Sequence, residues 1–416
     1  MQLRGYQKAA IEAVIKASSS SKRHLLVMPT GSGKTVVFCK IAEYFGAKTL
    51  VISHTTELVS QAARMAKALR IDGIESRSIQ SLLSEESLRI VRDGGFELLV
   101  IDECHRAPAA SYLKVIEAIR PKHLLGVTAT PFRTDLKKLS SVFGSATYSV
   151  PLPDLIEQGH LCDFMGYRIK TSVDLSKIKR IRGDFENKGL TSVVNVKNRN
   201  EIIVSKYKEI CGDEKALCFC TSLQHCADLC FEFNERGINA AVIHGNLSRQ
   251  QRADRLKYFK EGQIRVLLSC QILTEGFDEP SITSLIMARP TCSKTLYMQM
   301  IGRGSRKHPG KAHCKVLEFT DNAFDVCCLE DLIEAKVNGF KRKEGESLKH
   351  MMQRAKKELE ATGGEVIVEK VSIILKNSIY ERPATPWQID QLMKRKINFV
   401  PPITEFVANN LLARSN

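Results

Sequence analysis

Met28-Pro29-Thr30-Gly31-Ser32-Gly33-Lys34-Thr35 limits what this chain can fold into more than any other stretch. It follows the apolar run Leu25-Leu26-Val27 and leads into Val36-Val37-Phe38-Cys39-Lys40-Ile41, whose spacing suits a helix packed on a sheet. A strand, a glycine-rich turn and a helix in that order form a phosphate-binding loop. Gly31 and Gly33 let the backbone curl so that its N–H groups point at phosphate oxygens, and the helix N-terminus adds a favourable field for the same anion. Lys34 reaches toward the β- and γ-phosphates, and Thr35 offers its hydroxyl to Mg2+. ATP and Mg2+ are therefore the expected cofactors, with Thr30, Gly31, Ser32, Gly33, Lys34 and Thr35 as binding residues. The motif usually opens on glycine; Met28 stands there, at a position that starts the turn without touching phosphate.

Lys and Arg number 62 against 46 Asp and Glu, a net charge of +16 that favours a polyanionic partner. The length of 416 residues accommodates two full domains and an appendage. The thirteen cysteines fall in apolar segments (Cys39, Cys218, Cys220, Cys270) with no Cys-x-x-Cys pair, so they read as reduced thiols. Cys218/Cys220 and Cys226/Cys230 beside His225 fit alternate strand positions and one helix face better than a zinc site. The N-terminus does not resemble a signal peptide, and no apolar run approaches a membrane span. A cytoplasmic protein without membrane contact is expected.

Residues 1–145 alternate short apolar runs with helical stretches, the pattern of a parallel sheet. Arg4, Tyr6 and Gln7 precede a helix expected from Lys8 to Ala17 and are suited to adenine, Gln7 by paired hydrogen bonds and Arg4 or Tyr6 by stacking. The strand Thr49–Ile52 ends in hydroxyl-bearing residues, Thr55 and Thr56, which suit either a nucleic-acid backbone or a simple helix cap. Before the next clear strand the only strand-like signal is Ser78-Ile79-Gln80-Ser81-Leu82. That strand, Phe96–Ile101, ends in Asp102-Glu103-Cys104-His105. Asp102 would hold Mg2+ through its water shell while Glu103 orients the attacking water. Leu124–Val127 ends in Thr128-Ala129-Thr130-Pro131. Strand tips converging on one edge are where an open α/β sheet binds ligands.

Residues 146–200 read as a basic connector, with Lys177, Lys179, Arg180 and Arg182. A second α/β pattern fills 201–330. It runs through the strands Leu217–Thr221, Ala240–Gly245, Ile264–Cys270 and Ser284–Ala288, and it closes on Gln299-Met300-Ile301-Gly302-Arg303-Gly304-Ser305-Arg306. Arg303 and Arg306, three apart, share one helix face from which a second lobe can reach a γ-phosphate held by the first. Residues 331–416 are a basic extension with a small helical tail. Lys341-Arg342-Lys343 and Lys349 lie in it, a strand is expected at 366–375, and Trp387 sits in the first of two short helices.

With these motifs in order over residues 1 to about 325, the chain resembles a superfamily 2 helicase of the DExH type. Gly-Ser-Gly-Lys-Thr, Asp-Glu-Cys-His, Thr-Ala-Thr and Gly-Arg-Gly-Ser-Arg stand as motifs I, II, III and VI. The resemblance implies an α/β fold of two tandem RecA-like parallel-sheet lobes with a small, mostly helical C-terminal extension. It implies that His105, Thr128 and Thr130 couple nucleotide state to lobe closure. It places Gly276 and Asp278 at the nucleotide, Thr274 with Thr55, Thr56 and Gln80 at nucleic acid, and Gln299, Arg303 and Arg306 beside Lys34, Asp102 and Glu103 in catalysis. Relatives usually fit an extra strand and helix between Gln61 and Asp102, so the first lobe reads as trimmed there. Ala288-Arg289-Pro290-Thr291 and Leu317-Glu318-Phe319-Thr320-Asp321-Asn322 are similar to DNA helicases of bacteria and their phages, including the branch-remodelling UvsW-type group. The expected protein is then a monomeric motor in a bacterial or phage-infected cell, acting on single-stranded, forked or branched DNA in preference to RNA. An RNA helicase with the same motor and an ATP-gated nucleic-acid clamp stay open as alternatives.

Overall fold

The computed structural model describes residues 2–129, 136–181, 183–270, 279–320, 326–332 and 345–361. Thr130, Thr274, Gly276, Asp278, the Lys341-Arg342-Lys343 run, the strand expected at 366–375 and the tail with Trp387 lie outside those residues.

The first lobe runs α1 (Gly5–Ala17), β1 (Arg23–Val27), α2 (Lys34–Phe45), β2 (Thr49–Ser53), α3 (Thr56–Leu69), β3 (Ile74–Ser78), α4 (Glu85–Asp93) and β4 (Leu98–Asp102). It continues through α5 (Ala110–Ile119), β5 (His123–Thr128), α6 (Leu136–Phe143), β6 (Tyr148–Ser149) and α7 (Leu152–Glu157). Its six strands are all parallel, in the order β3-β2-β4-β5-β1-β6. β2 and β4 are buried at every position, which is why they read as continuous apolar runs: helices cover both faces of a parallel sheet. The second lobe runs β7 (Asp163–Lys170), β8 (Arg180–Ile181), β9 (Asp184–Phe185), α8 (Asn187–Val194), α9 (Lys197–Cys211), β10 (Ala216–Phe219), α10 (Leu223–Glu235) and β11 (Ala240–Val242). Then come α11 (Arg249–Lys260), β12 (Val266–Ser269), β13 (Ser284–Met287), α12 (Lys294–Gly304), β14 (His313–Thr320) and α13 (Leu348–Ala361). Its sheet is again six parallel strands, β11-β12-β10-β13-β14-β7. Among the described residues no helix is long and apolar enough to cross a membrane, and no cluster of His, Cys, Asp or Glu is placed to hold a metal ion.

The strand-like signal at 78–82 resolves differently. The strand is β3, ending at Ser78, and Ile79–Leu82 is a 3-10 turn. Ser78 Oγ accepts from Ser81 N at 3.2 Å and closes the turn, so Ile79 and Leu82, three apart, both reach the core. With α4 following, the interval that reads as trimmed contains a strand and a helix. Residues 146–200 contribute β6 to the first sheet and β7 to the edge of the second, with the β8–β9 hairpin between β7 and α8.

His24 is an anomaly in the first lobe. Its side chain is fully buried in β1, neither ring nitrogen has a hydrogen-bond partner, and it stacks on His123, which stacks on Phe45. Burial first, and the charge of His123 second, hold its pKa below the usual value. A lowered folded-state pKa means that the unfolded chain takes the proton more readily. The neutral ring's contribution to stability is present above about pH 6.5 and is lost as pH falls. His24→Leu should therefore lose less thermal stability between pH 7.5 and about 5.5 than the unsubstituted protein in parallel melting curves; equal losses would rule out His24 as a source of the acid sensitivity.

Candidate active site

β1 delivers the phosphate loop beside the tip of β5, where Met28 N bonds Thr128 O at 2.9 Å. Gly31 (φ 87°) and Gly33 (φ 82°) take the left-handed conformation that the turn requires. Gly33 is the N-cap of α2 and no side chain caps that helix, so its first amides face the loop. The loop is braced from behind. Tyr6 Oη and Gln7 Nε2 both donate to Ser32 O, at 2.7 and 2.9 Å, and a Cβ at Gly33 would stand 2.5 Å from Gln7 Nε2. Gln7 Oε1 accepts from Arg4 N at 3.0 Å, so both ends of the amide expected at adenine are engaged within the protein. Arg4 Nη1 donates to Tyr6 Oη and to His160 O.

β4 ends in the two adjacent carboxylates. Asp102 is buried and its Oδ1 accepts from Glu103 N at 3.0 Å; Glu103 itself takes φ 50°, a turn conformation that aims its side chain across to the loop. Lys34 Nζ donates to Glu103 Oε1 at 3.1 Å. His105 Nδ1 stands 3.4 Å from both Glu103 Oε2 and Thr128 Oγ1, which joins three of the expected residues into one cluster. Burial would raise the Glu103 pKa. The Lys34 ammonium and the His105 hydrogen bond outweigh it and hold the carboxyl well below its ordinary range. Glu103 is ionised at neutral pH.

The second lobe meets this loop through α12. A Cβ at Gly302 would stand 2.4 Å from Thr30 Cβ, so only glycine lets the helix approach this closely. Ser305 Oγ shares its proton between Thr30 O at 3.0 Å and Gly302 O at 2.9 Å. Ser305 O accepts from Cys162 N at 2.7 Å, and Lys311 Nζ donates to the carbonyls of Gly304 and Arg306. Arg303 and Gln299 are buried on this helix, which ends at Gly304. Arg306 lies past its C-terminus and does not share the helix face expected for the two arginines, though its side chain would lie 3.4 Å from a Cβ placed on Gly31.

A cleft of about 620 Å3 opens between the lobes, lined by His54, Thr55, Thr56, Arg106, Arg289 and Gln299 among others. Thr55 Oγ1 caps α3 by accepting from Leu58 N, so it serves as a cap and lines the cleft at once. Gln80 Nε2 stands 3.4 Å from His54 Nδ1. Glu57 Oε1 and Arg252 Nη1, 3.4 Å apart, join the lobes across the cleft wall. Sequence reasoning missed Ser305, Tyr6 as a loop brace, Arg106 and the Glu57–Arg252 pair. The small residues flanking Arg303 were the available signal for the first; the ion pair, between positions 195 apart, left none.

The family described as Helicase conserved C-terminal domain matches residues 198–308, and the family described as Type III restriction enzyme, res subunit, matches 1–91 and 74–133. The chain is 29% identical over 409 residues to a candidate ATP-dependent helicase, IRC3, of Saccharomyces cerevisiae, across 84% of this chain and 59% of that protein. It thus spans about three fifths of that relative's length. It is 24% identical over 362 residues to the DNA 3'-5' translocase XPB2 of Sulfurisphaera tokodaii, across 75% of this chain and 80% of that one. Among solved structures, a fragment of a candidate HsdR subunit of a type I restriction enzyme from Vibrio vulnificus shares the fold. Its TM-score is 0.63 at 21% identity, over 82% of this chain and 67% of that one.

The Gly302–Thr30 approach gives a direct test. Gly302→Ala should leave each lobe folded yet displace α12 from the loop, lowering phosphate release from ATP on the order of 10²-fold. Turnover equal to that of the unsubstituted protein would show that the close approach is dispensable.

Proposed function

We propose that the chain is a superfamily 2 helicase, and within it an ATP-dependent DNA helicase or translocase that remodels forked or branched DNA. The observation that carries this reading is a single site assembled from both lobes, with the Thr30–Thr35 loop packed on the arginine-bearing α12 through Thr30 and Gly302. The residues fit a Mg2+–ATP complex. Two left-handed glycines and an α2 N-terminus without a side-chain cap suit phosphate oxygens, while Thr35 and the buried carboxylate of Asp102 offer the metal hard oxygen ligands. When bound, Mg2+ neutralises the phosphate charge that develops during transfer.

The chain's own residues do the rest. A phosphate at the loop competes with Glu103 for the Lys34 ammonium, so Lys34 turns from carboxylate to phosphate. Glu103 Oε1 is then free to accept a hydrogen bond from the attacking water. His105 keeps hold of the other carboxylate oxygen and links it to Thr128, at the strand tip that leads to Thr130. Arg303, with Arg306, offsets charge at the γ-phosphate, Gln299 supports them, and Gly276 and Asp278 meet the nucleotide. Arg4 or Tyr6 stacks on the base, and Gln7, which also holds the loop through Ser32 O, bonds the adenine edge. Lobe closure and reopening step the protein along one strand. Thr55, Thr56, Gln80 and Thr274 grip its backbone, with the salt sensitivity that backbone contacts impose. The bacterial and phage resemblance and the DNA translocase relative favour DNA over RNA; the branch-remodelling reading rests on the resemblance to the UvsW-type group alone. Residues 146–200 act as the connector into lobe 2, and 331–416 as a basic extension of a monomeric, cytoplasmic protein.

The test is ATP hydrolysis measured without polymer and with single-stranded DNA, duplex DNA, a four-way DNA junction and RNA, with Lys34→Ala as the control. The expected result is strongest stimulation by the junction or fork and turnover abolished in Lys34→Ala. Stimulation by RNA alone would overturn the choice of DNA, and substantial turnover in Lys34→Ala would overturn the site.

A further inference from the structure

Four cysteines of the second lobe meet at one place. Cys218 lies in β10 and Cys220 just beyond it, with their sulfurs 3.8 Å apart. β10 and β12 run side by side with Phe219 opposite Ser269, and Cys220 N bonds Ser269 O at 2.9 Å. Cys220 and Cys270 therefore stand next to each other at neighbouring strand ends. Cys226 reaches them from α10. Ser222 caps that helix, and Cys226 N bonds Ser222 O at 3.0 Å, which places Cys226 in the first turn. The Cys220 and Cys270 thiols both hydrogen-bond to Cys226. Cys218, Cys220 and Cys226 are buried in one core cluster, and Cys270 packs against it half-exposed. Cys220 and Cys270 also line the interlobe cleft.

A buried cysteine is ordinarily a small, inert apolar side chain. Cys39 and Cys314 are of that kind, and burial pushes both thiols up. The group at the cleft differs. At Cys226 the hydrogen bonds from Cys220 and then Cys270 outweigh burial and hold the thiol below its ordinary range. At Cys270 the same bond, with burial behind it, pushes the thiol up. A sulfur that favours the thiolate thus touches one that keeps its proton, and the second is the one solvent can reach through the cleft. Metal binding does not account for the group, because among the described residues no cluster of His, Cys, Asp or Glu is placed to hold a metal ion.

We propose that Cys226 and Cys270 are a redox-sensitive pair, which hydrogen peroxide entering the cleft joins in a disulfide that slows ATP turnover. The Cys270 sulfur attacks one peroxide oxygen and passes its proton to the Cys226 thiolate. The O–O bond breaks, hydroxide leaves, and Cys270 becomes a sulfenic acid. Cys226 then attacks the Cys270 sulfur, the S–O bond breaks, and the oxygen leaves with the Cys226 proton as water. Two electrons pass from the two sulfurs to peroxide, and a dithiol such as dithiothreitol returns them by exchange. The new bond ties α10 to the end of β12, from which the chain runs on to Thr274, Gly276 and Asp278. The effect on turnover rests on the functional reading above; the disulfide does not.

The experiment treats the folded full-length protein, Cys270→Ser and Cys226→Ser with hydrogen peroxide. Remaining thiols are then alkylated, linked peptides are identified by mass spectrometry, and ATP turnover is measured before and after dithiothreitol. The unsubstituted protein should yield a peptide linking Cys226 to Cys270, with turnover that falls on oxidation and recovers on reduction. Cys270→Ser should give no such peptide and no peroxide-dependent loss of turnover. Cys226→Ser should leave a sulfenic acid on Cys270 that dimedone labels, which shows the order of the two steps without relying on turnover. Oxidation confined to the other half-buried thiols, Cys230 and Cys292, would overturn the pair. A Cys226–Cys270 link with unchanged turnover would overturn the control of the motor. Absence of turnover in the untreated protein would remove the functional reading, while the linked peptide still decides the disulfide.

Discussion

The two lobes are joined where a helix comes within van der Waals reach of a phosphate loop, and the proposed chemistry depends on that approach. α12 reaches Thr30 because position 302 has no side chain, and Ser305 then fastens the loop carbonyl. Each lobe alone is an ordinary parallel α/β layer. Neither contains both the phosphate-binding turn and the arginines. A site divided in this way would sense geometry between the lobes: if Arg303 meets the reacting phosphate as proposed, any hinge motion that lifts α12 withdraws it. In the proposed function, that is how hydrolysis is linked to movement.

Charge supplies the second half of the coupling. Lys34 and Glu103 neutralise each other in a buried setting, where an unpaired charge is costly. In the proposed function, nucleotide entry separates them and gives each a role in transfer. His105 and Thr128 tie the released carboxylate to the next strand tip. A second link between the lobes is the Glu57–Arg252 pair, partly exposed and therefore weak.

Much of this was legible in the sequence because it rests on local rules. The strand–turn–helix at 25–41, the carboxylates ending β4 and the alternation of apolar runs with amphipathic stretches all follow from chain periodicity and glycine chemistry. What escaped was set by distant contacts or by spacing that imitates another element. Ile79 and Leu82 read as strand, yet the Ser78 cap turns them into a 3-10 turn. Gln7 reads as a base-reading amide, and its bond to Ser32 O at 2.9 Å, set by the fold, was not legible beside that. The hairpin is invisible in a basic, weakly periodic segment. Its stability comes from Asp184 finding the loop after β13, more than a hundred residues on.

The most direct measurement is on Arg303→Ala: nucleotide affinity by titration with a fluorescent ATP analogue, and phosphate release at saturating ATP and DNA. If the active site is built from both lobes, affinity should hold within a few-fold while turnover falls by about 10³-fold or more, the scale on which an arginine contact to the transferring phosphate acts. Turnover retained at the unsubstituted level would mean that the first lobe hydrolyses ATP unaided and that α12 is only a packing surface.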